Sequence, residues 1–142
     1  MTTCFFRAEA LGTAPDAAGA YEPGICNIGP MEIARRRMVG HVGLGATLAV
    51  LGILIAVDAP PPSRLAAAIP AMISASGYLQ AHLRFCAGYG QRGVFNFGES
   101  DDSEAVGDEA ARAADRRKAR QISLWSLAIG LAVGVAGMIF PI

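Results

Sequence analysis

Two of the three cysteines and both histidines of this chain lie where they could bind a metal ion together. Cys26 precedes the first long apolar stretch and His41 lies near its start, whereas His82 and Cys86 lie near the end of the second. Thiolate and imidazole are ligands that zinc and other transition metals prefer. Residues four apart lie close together on a helix, so His82 and Cys86 could share one ion. Cys26, His41, His82 and Cys86 therefore form a candidate metal site.

Cys26 and Cys86 also form a candidate redox pair. A permanent disulfide is disfavoured in the cytoplasm, so a pair there would be regulatory or catalytic. The sequence contains neither a C-x-x-C nor an H-E-x-x-H motif to support either kind of site. Cysteine often packs as a small apolar residue, and histidine often anchors a helix at the membrane surface. We favour this structural interpretation and predict no cofactor, with zinc or another transition metal as the alternative.

A polar stripe is predicted along the second apolar stretch. Ser74, Tyr78 and His82 recur at steps of four residues, and Cys86 continues the series. Polar groups inside a membrane are costly and normally face protein or water, so they are candidates for function. We expect the stripe to run from the middle of the membrane to its cytoplasmic face.

Three long apolar segments position these residues. The chain of 142 residues is 53% hydrophobic but only 17% charged, whereas soluble domains average about 25%. Residues 38–57, 65–87 and 122–140 are each long enough to cross a bilayer as a helix. The sequence predicts an all-α fold, an integral membrane three-helix bundle with a helical charged cytoplasmic linker. Residues 30–142 form this domain, and residues 1–29 form a weakly ordered N-terminal segment.

Small residues are expected to hold the helices together. Gly130, Gly134 and Gly137 lie on one face of the third segment, and the first two segments carry glycine and alanine at similar spacing. Lipid offers no hydrophobic preference for helix association, so close backbone approach decides it. We favour packing within the chain, with a homo-oligomeric face as the alternative.

The distribution of charge predicts the orientation. Ten of the twelve Lys and Arg residues precede the first segment or lie between the second and third, and Arg84 lies at the end of the second near the same side, whereas Arg64 is the exception. Basic residues concentrate in cytoplasmic loops. We therefore expect a protein of the inner (plasma) membrane with a cytoplasmic N-terminus and an external C-terminus. The linker carries acids and then bases, which suits a helix beginning near Ser103.

The sequence argues against binding of nucleic acid and nucleotide. A net charge of zero leaves no basic excess for phosphates. The string Gly88-x-Gly90-x-x-Gly93 follows a membrane segment and not a strand, so the dinucleotide-binding interpretation fails. No catalytic motif is present, and an enzyme is the less favoured class. We expect a non-enzymatic accessory, assembly or interaction subunit whose partners are the lipid bilayer and another membrane protein or itself. The alternatives are an oligomeric transporter or channel, and a metal or thiol-redox protein.

Overall fold

Helices make up most of the structure, a computed structural model that describes residues 21–98 and 103–139. The helical elements in chain order are α1 (Pro30–Ala56), a 3-10 helix (Pro61–Ala67), α2 (Ala68–Leu83), α3 (Ala87–Arg92) and α4 (Glu109–Ile139). Two short antiparallel strands, β1 (Val94–Phe95) and β2 (Glu104–Ala105), pair between α3 and α4. The described residues are therefore mainly helical, as predicted, with one short pair of strands in addition.

The second predicted span differs in its boundaries. Helical structure starts earlier, at Pro61, and α2 ends at Leu83 rather than at residue 87. Pro70 lies in the first turn of α2, where its missing N–H costs no helical hydrogen bond. Arg84 adopts a left-handed conformation with φ of 52°, which terminates α2 and turns the chain toward α3.

The charged linker is only partly helical. Ser103 precedes strand β2 instead of starting a helix, because residues 104–105 pair with β1. Asp108 caps α4, since its Oδ2 accepts a 3.0 Å hydrogen bond from the amide of Ala111. The helix predicted from Ser103 thus begins six residues later, at Glu109.

The chain divides into two units. The first contains the described residues up to Arg35 together with Gln80–Gln121, and the second contains Arg36–Leu79 and the described residues from Ile122 onward. A cluster of Phe95, Val106 and Ala111, with Tyr21 and Phe97 against it, forms an apolar core in the first unit. The second unit contains the most apolar parts of α1 and α4.

Two helices, α1 and α4, are long and apolar enough to cross a membrane. The second predicted span does not meet the same length requirement, because α2 has only 16 residues and the turns before it are 3-10 helix. The predicted N-terminal segment 1–29 lies mostly outside the described residues. Its last part is ordered by pairing, since the Asn96 amide donates to the Asn27 carbonyl and the Gly29 amide to the Asn96 carbonyl.

Candidate functional site

Ser74 and Tyr78 of the polar stripe contact α1 within the second unit. The buried Ser74 hydroxyl donates a 2.9 Å hydrogen bond to the Gly40 carbonyl. The Tyr78 hydroxyl lies 2.6 Å from His41 Nδ1, and the two rings meet edge to face with centroids 5.3 Å apart. The stripe therefore joins two helices, and its first two members use their hydroxyl groups for that contact.

Glycines make this helix crossing close. A Cβ atom on Gly77 would lie 2.5 Å from the Gly40 nitrogen and 2.7 Å from the Arg36 carbonyl oxygen. A Cβ atom on Gly43 would lie 2.6 Å from the Ser74 nitrogen. The obstructing atoms belong to the backbone and cannot rotate away. The backbones of α1 and α2 are thus in direct contact, as small residues permit in membrane helices.

The three glycines singled out on α4 contact other helical segments of the second unit. A Cβ atom on Gly130 would lie 2.7 Å from the Ala68 carbonyl oxygen, and one on Gly134 would lie 2.9 Å from the Ala68 Cβ. Gly137 lies beside Leu51, and its carbonyl accepts a 3.4 Å hydrogen bond from the buried Arg64 guanidinium. Arg64 thereby places a positive charge at the C-terminal end of α4, where the helix dipole favours it.

Cys26 and Cys86 both lie in the first unit and are both buried, but they are not bonded to each other. Cys26 is disulfide-bonded, whereas Cys86 carries a free thiol. Cys4, the third cysteine, lies outside the described residues. Asn27, next to Cys26 in sequence, connects that segment to the turn at Cys86. Its Nδ2 donates a hydrogen bond to the Cys86 carbonyl at 3.1 Å, and its Oδ1 accepts one from the Cys86 amide at 2.7 Å.

The four residues of the candidate metal site are not brought together by a shared helix. His82 is exposed near the end of α2, and Arg84 breaks the helix before the buried Cys86. The four-residue spacing therefore does not place His82 and Cys86 on one helix face. His41 belongs to the second unit. Among residues 21–98 and 103–139, no group of three His, Cys, Asp or Glu side chains is placed to hold a metal ion.

Two buried polar residues that the sequence did not single out organise the first unit. Asn27 is one, and Asp115 on α4 is the other. Asp115 accepts hydrogen bonds of 2.7 Å from the Tyr21 hydroxyl and from the Gly24 amide. Burial, together with this hydrogen bond and the charge of Asp115, raises the pKa of Tyr21 well above its usual range. A sequence signal for Asp115 exists, because it interrupts a series of basic residues midway between Ala111 and Ala119.

Comparison with known proteins adds no relative. No protein-family model matches the chain, and neither the curated proteins nor the solved structures give a significant match.

Proposed function

We propose that this chain is an integral membrane protein that crosses the inner (plasma) membrane three times and acts as a non-enzymatic accessory or assembly subunit. The first unit lies at the cytoplasmic surface and the second lies in the bilayer. The proposal is supported chiefly by which residues the long helices bury and which they expose.

The helices of the second unit have large apolar residues outside and small or polar residues inside. Of the twenty large hydrophobic residues that are exposed in the described part of the chain, eighteen belong to this unit, among them Leu48, Ile73 and Leu131. Apart from Ile122, the buried positions are small or polar, among them Gly43, Thr47, Ala71, Ala75, Ser126 and Gly130. A core helix of a soluble protein is mostly buried, but only 17% and 22% of the most apolar windows of α1 and α4 are. Such a pattern suits lipid as the solvent.

A third crossing is supported by length. The 3-10 helix and α2 contribute seven and sixteen consecutive residues. Together they rise roughly 38 Å, which exceeds the thickness of about 30 Å of a bilayer's hydrocarbon layer. The exposed Leu65, Ile69 and Ile73 give this segment an apolar outer face like that of α1 and α4.

The orientation rests on the eleven basic residues outside the predicted external loop. The disulfide at Cys26 favours the opposite orientation, because disulfides persist in oxidising compartments. We give the charge distribution more weight, since eleven positions agree. Fusing reporters to the C-terminus tests this choice: an external C-terminus activates a phosphatase that folds only outside the cytoplasm. A cytoplasmic C-terminus would instead explain the disulfide and reverse the proposed orientation.

The accessory role is supported by how the polar side chains are used. Ser74, Tyr78, Asn27 and Asp115 each bind another part of the chain. These polar side chains, which are of types that could bind a ligand, thus form hydrogen bonds that stabilise the fold. The exposed apolar faces then offer lipid, or another membrane protein, the remaining contacts.

Membrane extraction followed by affinity capture tests the function. The protein should stay in the pellet after alkaline carbonate washing and should retain a reproducible membrane partner in mild detergent. Release by carbonate would contradict membrane insertion. Capture of this chain alone, as a defined oligomer in native mass measurement, would favour the alternative of an oligomeric transporter or channel.

A further inference from the structure

We propose that the outward face of α4 binds the headgroups of anionic phospholipids at the membrane surface, an inference that rests on the membrane insertion proposed above. The site consists of Arg117 and Arg120, followed on the same face by Leu124, with Trp125 on the adjoining flank of the helix. All four residues are exposed. The side chains thus change from basic to apolar within about two turns of one helix.

The packed side of α4 fixes which way this face points. Its buried residues follow one stripe along the helix, namely Ala111, Asp115, Ala119, Ile122, Ser126 and Gly130. At 100° per residue, Arg117, Arg120 and Leu124 project from the opposite side. They therefore face away from the residues against which α4 packs, where lipid would lie.

The ion pairs of this part of α4 involve two other arginines. Glu109 pairs with Arg112 and Arg116, at 3.8 and 3.0 Å. Among the described residues, no carboxylate forms an ion pair with Arg117 or Arg120. Two guanidinium groups beside an apolar surface match the charge and geometry of a phosphate headgroup above its acyl chains.

Two further observations agree with this assignment. Trp125 follows Arg120 by five residues, or about 7.5 Å along the axis, and tryptophan favours the headgroup boundary. The first helix repeats the arrangement, because the exposed Arg37 precedes the exposed Met38 and Val42. A basic residue thus lies at the start of the apolar surface on both helices.

Trp125 is the only tryptophan in the chain, so its fluorescence reports the adjacent lipid. The full chain is reconstituted in vesicles of phosphatidylcholine with one tenth phosphatidylglycerol. One tenth of the lipid is brominated, in either the anionic or the neutral species. Each basic residue near the surface favours anionic lipid by a factor of about five. Brominated phosphatidylglycerol should therefore quench several-fold more than the same fraction of brominated phosphatidylcholine.

Two double variants separate local binding from net charge. Arg117→Gln with Arg120→Gln should abolish most of the preference for phosphatidylglycerol. Arg35→Gln with Arg92→Gln removes the same charge from two other helices and should preserve the preference. Equal quenching by the two lipids in the unaltered protein, or equal loss in both variants, would overturn this inference while leaving membrane insertion intact. Absence of quenching by either lipid would contradict insertion itself.

Discussion

Asn27→Ala should open the turn that contains Cys86, and the free thiol of Cys86 can report the opening. Asn27 is fully buried, and its side chain binds both the amide and the carbonyl of Cys86. Cys86 is 2% exposed, so a maleimide reaches its sulfur only when the surrounding structure opens. The rate of labelling at Cys86 therefore measures the free energy of that opening.

The expected rise in labelling rate follows from the amide and the carbonyl of Cys86, which both lose their hydrogen-bond partner in Asn27→Ala. A buried backbone group that loses its hydrogen bond costs about 1–3 kcal/mol. Taking roughly 1.5 kcal/mol for each of the two groups gives about 3 kcal/mol, which is a rise of about 150-fold in the open population. Asn27→Asp should have at least as large an effect without creating a cavity, because a carboxylate oxygen would then face the Cys86 carbonyl.

The assay is labelling of the full chain in mild detergent, followed by mass spectrometry of the peptide that contains Cys86. Gln91→Ala is the control, because Gln91 is exposed on α3 in the same unit. Its labelling rate should match that of the unaltered protein. A rise of less than about five-fold for both Asn27 variants would show that the two hydrogen bonds do not hold this turn closed.

Three further predictions concern other contacts. Gly77→Ala should destabilise the crossing of α1 and α2 by about 1–3 kcal/mol, because the added Cβ meets backbone atoms. Gly45→Ala, whose Cβ would have nothing within 4 Å, should be neutral or stabilising by up to about 1 kcal/mol. Thermal unfolding in detergent compares the two variants, and equal effects would contradict the close crossing. The raised pKa of Tyr21 keeps its phenol protonated in the folded state at a pH where the unfolded chain would release the proton. The contribution of Tyr21 to the free energy of unfolding should therefore be constant below the ordinary tyrosine pKa of about 10 and fall above it. Tyr21→Phe should reduce that fall when denaturation is measured against pH. Asp108→Ala should lower the free energy of unfolding by about 1 kcal/mol, because the Ala111 amide loses its cap. Hydrogen exchange at that amide should become faster, and unchanged exchange would argue against the cap.

The long helices could be predicted from sequence because hydropathy is a local property. Residues 38–57 and 122–140 correspond closely to the apolar parts of α1 and α4. The end of α2 could not be predicted in the same way. The periodic series Ser74, Tyr78, His82 continues to Cys86, but the left-handed turn at Arg84 interrupts the helix between the last two.

The organisation of the first unit depends on residues distant in sequence. Asn27 and Cys86 are 59 positions apart, and Tyr21 and Asp115 are 94 apart. No helical or strand periodicity relates such pairs. Strand β2 was missed for the same reason, because two residues in an acidic segment pair only when β1 is already in place.

The boundary between the two units agrees with the membrane insertion proposed above. It falls between Arg35 and Arg36, within the first basic run, and between Gln121 and Ile122, immediately after the second. On one side of it the core is built from large residues such as Phe85 and Phe95, as water requires. Along α4 the buried stripe continues through this boundary, from Ala119 to Ile122 and Ser126. The exposed residues change there from charged, such as Arg117, to apolar, such as Leu124, which is the pattern expected where lipid replaces water.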